Sequence, residues 1–216
     1  DMLLVAAGRQ ADVAALDLDK AGIAWSPEGI VVDRRLRTTN RRVFAAGDVV
    51  AGSYRFTHAA GYHAGIVIRN ALFRLPAKVD TRAIPWVTYT DPELAHVGLS
   101  EAAARRAGHA VSVLRWSYAE NDRARAEAVA EGFIKVVATP RGRVLGAGIV
   151  GAAAGEIIQP WVLAAAGRLG LKTLATMVVP YPTLGEVSKR AAGAFFAPRL
   201  FGARMRRLVR LIARLG

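Results

Sequence analysis

The 216-residue sequence contains no cysteine. A disulfide, a thiolate nucleophile and a thiolate metal site are therefore excluded within it. It also lacks any run of about 18 uninterrupted apolar residues, the length a spanning helix needs. The nearest stretch, residues 144–170, is broken by Glu156, Gln159, Pro160 and Arg168. Its start, "DMLLVAAGR", is too short and too soon polar for a secretory signal. The expected location is the cytoplasm, either free or at the inner membrane surface. Acid is scarce: 17 Asp+Glu stand against 30 Lys+Arg, a net charge of +13. From Lys189 onward there is no acid at all, while Lys189, Arg190, Arg199, Arg204, Arg206, Arg207, Arg210 and Arg214 supply eight positive charges, leaving +5 for the first 188 residues. Aromatics are not interleaved with these charges and no recognition motif accompanies them, so nucleic acid is not the expected partner.

What is present points to a globular chain, 53% hydrophobic. Met2–Ala7 is continuous and apolar and reads as a buried strand. Such a strand needs neighbours, so the chain is expected to be a fragment of a longer polypeptide. Val13–Ala21 reads as a short helix or turn, Gly29–Val32 and Val43–Ala46 as short strands, and Thr57–Leu75 as a helix with Ala60, Ala64, Val67, Ile68, Ala71, Leu72 and Leu75 on one face. Pro76–Arg82 is a polar connector and the candidate domain boundary. Beyond it, strands are expected at Trp86–Tyr89, Leu94–Val97, Val111–Tyr118, Gly132–Ala138 and Arg143–Val150, the last two joined by the turn Thr139-Pro140-Arg141-Gly142. Helices are expected from Ser100 to Ala107, from Ala154 to Leu169 with Pro160 kinking it or marking a new start, and from Thr183. Strands followed by helices suggest an antiparallel sheet with helices on one face, an α+β domain.

Two places carry chemistry. In "TTNRRVFAAGDVV", a short apolar strand ends in Gly47-Asp48. Glycine admits close approach of a ligand to the backbone, and a carboxylate at the end of a strand accepts hydrogen bonds from ligand hydroxyls. A turn in which Asp48 caps the next segment explains the same residues. In "YPTLGEVSKR", Tyr181 precedes Pro182 and Thr183, with Glu186 beyond. A local reading makes Pro182 the first turn of a helix and Thr183 with Glu186 a capping box. His63 reads as a surface or capping residue. No metal site is expected. The tail from Phe195 places Phe201, Met205, Leu208, Ile212 and Leu215 on one stripe, with Arg204, Arg207, Arg210 and Arg214 largely elsewhere. That is a basic amphipathic helix, suited either to an anionic membrane surface or to docking on the domain or a dimer partner.

Taken in order, these motifs resemble the FAD-dependent pyridine nucleotide–disulfide oxidoreductases, the family of dihydrolipoamide dehydrogenase and mercuric reductase. "TTNRRVFAAGDV" is similar to their second flavin-binding signature, and Leu3–Ile23 to the end of their NAD(P)-binding domain. There the family usually has Gly-Arg-x-Pro-Asn, and this chain has Gly8-Arg9-Gln10-Ala11-Asp12. Ile84–Gly108 resembles the start of the dimerisation domain and "YPTLGEVSKR" a motif near its end. The resemblance implies an α+β dimerisation domain, an antiparallel sheet with helices, preceded by the C-terminal part of an α/β FAD/NAD(P)-binding region. The implied boundaries are 1–80, 81–192 and a tail of 193–216. It implies FAD and NAD(P) as cofactors, a homodimer, and a disulfide or small-molecule substrate. Gly47 and Asp48 would meet the flavin's ribityl chain, and Thr57, His58 and Ala59 would lie near its ring. Tyr181 and Glu186 would stand where most relatives have a His–Glu pair that exchanges protons across the dimer. A phenol ionises near pH 10 and suits that exchange poorly at neutrality. The family's Cys-x4-Cys pair is absent from this sequence, and the resemblance places its Gly-x-Gly-x-x-Gly flavin loop upstream of Leu3. A non-catalytic dimerisation module is the alternative reading.

Overall fold

The computed structural model describes residues 2–213. The chain divides into two compact units, Asp1–Asp80 and Thr81–Gly216.

The first unit has little regular sheet. Strands β1 (Trp25–Ser26) and β2 (Gly29–Ile30) form a two-stranded antiparallel hairpin. Ile30 also bridges Val50, and Arg37 bridges Phe44. The one long element is helix α1, Thr57–Ala71. Its buried stripe is Ala59, His63 and Ile66, not the stripe expected from hydropathy. Ile68 and Leu72, both assigned to the inner face, are 47% and 73% exposed. The helix is rotated because two polar residues sit on its inner side with their bonds made: His63, and Asn70, whose amide group serves Ile66, Ala77 and Arg35. A buried polar group so satisfied costs little, and periodicity counting assigns it outward.

Two further expectations change here. Residues 2–7 form no strand, and Met2, Leu3 and Leu4 are 87–98% exposed. Among the described residues no strand pairs with them, and an extended segment without a ladder is no strand. Val43–Ala46 likewise makes only the Phe44 bridge before a 3-10 turn, Gly47–Val49. The helix or turn expected over 13–21 is a 3-10 helix, Ala14–Leu16, followed by turns from residue 18.

The second unit is a five-stranded antiparallel sheet of order β3-β4-β7-β6-β5, made of β3 (Trp86–Thr88), β4 (Glu93–Gly98), β5 (Ser112–Ser117), β6 (Phe133–Ala138) and β7 (Val144–Gly151). Alternation places Ala95, Ile149 and Ile134 in register across the sheet, each fully buried. Gly142 closes the turn between β6 and β7 by donating its N–H to the Thr139 carbonyl at 2.8 Å. Short helices α2 (Glu101–Arg106) and α3 (Asp122–Ala126) are both capped by the residue before them. Ser100 accepts from the Ala103 amide and Asn121 from the Ala124 amide. Pro160 marks a new start rather than a kink: α4 (Ala154–Ile157) ends and α5 (Gln159–Ala166) begins with proline in its first turn. Helix α6 (Leu171–Thr176) was not expected. It buries Leu171 and Leu174.

Helix α7 (Glu186–Ala194) packs with α5 against the sheet. Trp161 on α5 donates its indole N–H to the Ser188 hydroxyl on α7 at 3.0 Å, both side chains fully buried. The tail is two helices, α8 (Ala197–Leu200) and α9 (Ala203–Ile212), parted at Phe201-Gly202. Its apolar residues are not docked among the described residues: Leu208, Val209 and Ile212 are 48–59% exposed. Arg214 and Leu215 of the expected stripe lie outside the described residues. Among the described residues no helix is long and apolar enough to cross a membrane.

Candidate functional site

In the first unit the candidate site is built on a pinned turn. Gly47 adopts φ 76°, and a Cβ there would meet the Ala60 Cβ at 3.0 Å, so only glycine lets the turn lie this close to α1. The Gly47 amide donates to Nδ1 of His63 at 3.2 Å in a buried bond. Nδ1 must be unprotonated to accept, which assigns the ring proton to Nε2. Burial pulls the His63 pKa below its ordinary 6.5, which favours the same neutral form. His63 is thus neither a surface nor a capping residue. It is 2% exposed and ties the Gly-Asp turn to the helix.

Asp48 follows immediately. Its carboxylate is partly exposed and pairs with the Arg9 guanidinium at 3.2 Å. Arg55 in turn donates to the Arg9 carbonyl. Nearby, α1 begins at Thr57 with no side chain capping it and no acid in its first turn. Thr57 and His58 are exposed, while Ala59 is 1% exposed. The His58 ring stacks on Phe56 at 5.2 Å, and Phe56 on Tyr54 at 6.0 Å. A turn with a reachable carboxylate beside the open amide end of a 15-residue helix accepts ligand hydroxyls at one point and favours negative charge at another.

In the second unit, Tyr181 and Glu186 take different partners. The exposed Tyr181 hydroxyl donates to Asp122 Oδ2 at 3.0 Å. That bond, with the charge of Asp122, raises the phenol's pKa above its usual 10, and Glu186 adds a smaller electrostatic push. Glu186 is close enough to be felt, but the bonded pair is Tyr181 with Asp122. The Glu186 carboxylate is nearly buried in the first turn of α7, 3.7 Å from Arg190. A capping box is not formed. Gly185 occupies the cap position, and the Thr183 hydroxyl donates to the Pro180 carbonyl. The residue that holds this segment is Asn121, 4% exposed, whose amide donates to the Thr183 carbonyl at 3.0 Å. Sequence reading passed over Asn121 and Asp122. Their local signal was a helix cap before "DRARA", and nothing in it reports a partner about sixty residues away.

Among the described residues no group of three His, Asp or Glu side chains gathers to hold a metal ion. Residues 84–192 match the family model described as the pyridine nucleotide-disulphide oxidoreductase dimerisation domain, and residues 1–64 the model described as pyridine nucleotide-disulphide oxidoreductase. The chain belongs to the pyridine nucleotide-disulphide oxidoreductase family. It is 34% identical over 194 residues to the dihydrolipoyl dehydrogenase of Bacillus subtilis, covering 89% of this chain and 41% of that protein. It is 36% identical over 197 residues to a mercuric reductase of Staphylococcus aureus, covering 90% and 36%. LpdA from Mycobacterium tuberculosis matches with a TM-score of 0.79 and 26% identity, over 85% of this chain and 40% of that one. The Cu(II) complex of the HOCl-induced flavoprotein disulfide reductase RclA from Escherichia coli matches with 0.79 and 29%, over 88% and 43%. This pyridine nucleotide-disulphide oxidoreductase chain thus spans about two fifths of the relatives' length. Its second unit contains the family's α+β dimerisation domain, at residues 84–192.

Proposed function

We propose that this chain is part of a flavoprotein that moves electrons from NAD(P)H through FAD to a disulfide or related acceptor, and that residues 84–192 clasp a second copy. The observation that carries the reading is the Gly47–Asp48 turn, pinned by His63 to a helix whose first amides have no side-chain cap. FAD, when bound, supplies the hydride and electron chemistry. The chain's residues bind and orient it. Asp48 accepts hydrogen bonds from the ribityl hydroxyls. The exposed Arg9 partner does not obstruct this, since an exposed ion pair is worth only about 0–1 kcal/mol and exchanges readily. Gly47 lets the backbone come close, and the amide end of α1, with Thr57, His58 and Ala59, favours negative charge at the ring.

Tyr181 acts here as a hydrogen-bond donor that shapes the acceptor's pocket. With its pKa raised, it moves no proton at neutral pH. Glu186 stands in the first turn of α7, where a carboxylate suits the amide end of the helix.

The test is flavin retention by the purified full-length polypeptide. Asp48→Ala is expected to weaken FAD binding at least tenfold, roughly the loss of one charge-assisted hydrogen bond. A colourless parent protein, or undiminished flavin in the variant, overturns the reading.

The exposed apolar residues of α9 support a second reading for the tail. Leu208, Val209 and Ile212 share one side and Arg206, Arg207 and Arg210 the other, an arrangement fitted to an anionic lipid surface. Co-sedimentation with phosphatidylserine-containing vesicles, and not with phosphatidylcholine vesicles, is expected. Equal behaviour with both, or with neither, rejects it.

A further inference from the structure

Within the first unit, and apart from the Gly47–Asp48 turn, lies a cleft of about 370 Å³ lined by Arg35, Arg37, Arg41, Arg74, Asn70 and Phe44, among others. No carboxylate lines it. Its walls are built. The Asp33 carboxylate accepts from the Arg35 and Arg37 amides at 2.7 and 3.0 Å and so shapes the loop that carries both arginines. The Asn70 side chain bonds the backbone of Arg35 and of Ala77, joining the loop, the helix and the segment after it. Arg74 follows α1 in a left-handed turn, φ 51°.

The four guanidinium groups form no ion pair among the described residues. Arg37 goes further: its Nε is buried and has no hydrogen-bond partner. Four like charges around one cleft repel one another, and a buried N–H left unpaired has given up its bond to water without gaining another. Both costs disappear if an anion with several oxygens enters. Guanidinium forks match phosphate oxygens in pairs, and four forks exceed what a single carboxylate can use.

We propose that this cleft binds a multiply charged phosphate compound, of the size of a diphosphate or the diphosphate end of a nucleotide. This site does not depend on flavin binding.

Calorimetric titration of the full-length polypeptide with pyrophosphate tests it. Saturable one-site binding is expected, at least tenfold tighter than for orthophosphate. Arg37→Gln with Arg74→Gln is expected to weaken it at least tenfold. Arg141→Gln with Arg143→Gln, exposed in the turn between β6 and β7, is expected to leave it unchanged. If the cleft pair fails to fold, Arg41→Gln, on an exposed side chain, still gives a several-fold loss. Titration with ADP separates the sources: tighter binding than pyrophosphate indicates a nucleotide, equal binding a simple diphosphate, and both support the site. Equal weakening by the cleft and turn variants would mean a diffuse field of charge and overturn it. Absence of saturable binding, as when an acidic side chain elsewhere in the polypeptide fills the cleft, also overturns it.

Discussion

Each unit holds its candidate segment with one buried polar side chain, and the two differ in kind. In the first, the His63 ring accepts from the Gly47 amide; in the second, the Asn121 amide donates to the Thr183 carbonyl. An imidazole changes charge near neutrality and a carboxamide does not. The same structural task is therefore sensitive to pH in one place and indifferent to it in the other. The two surroundings differ as well. The second unit closes a continuous sheet over Trp161 and Val187, whereas the first relies on turns and side-chain bonds from Asp33, Thr38, Asn40 and Asn70.

Acidification should separate them most strongly. The folded His63 has a depressed pKa, so below about 6.5 the unfolded chain takes up a proton that the folded chain refuses. Stability of the first unit is full above that point. It falls as the pH drops through 6.5 toward the folded value, by at most about 1.4 kcal/mol per pH unit. Hydrogen exchange at Gly47, corrected for intrinsic rates, should accelerate on going from neutral to mildly acidic buffer, while protection around Thr183 stays constant. Parallel loss in both would show that His63 is not the weak point. A smaller effect is expected at Tyr181. Because its ring is 68% exposed, Tyr181→Phe should change stability by no more than about 0.5 kcal/mol. Asp122→Asn should bring ionisation of this phenol back toward 10 in an ultraviolet titration. An unmoved titration would mean that the bond to Asp122 is not made in solution.

The sheet of the second unit was legible because its strands alternate cleanly and its turns carry Gly and Pro where turns need them. Ser100 was legible as a cap for the same local reason. The first unit was harder. Its short strands make bridges rather than ladders, and the inner face of α1 contains His63 and Asn70, which hydropathy assigns to water. Helix α6 is six residues long, too short for a period to show. At the candidate sites, Gly47, Asp48, Tyr181 and Glu186 stood out from their local patterns. Their partners Arg9, His63 and Asp122 did not, because each contact is made across a distance in sequence that only folding closes.

Asn121 and Asp122 are adjacent, yet they grip the distant loop at two points, one on its main chain and one on its outermost ring. One extra residue inserted between them would swing the second by roughly 100° around α3 while leaving both side chains chemically intact. Spacing here is therefore as informative as identity: a homologous chain that keeps both amino acids but separates them has released either the loop or the phenol.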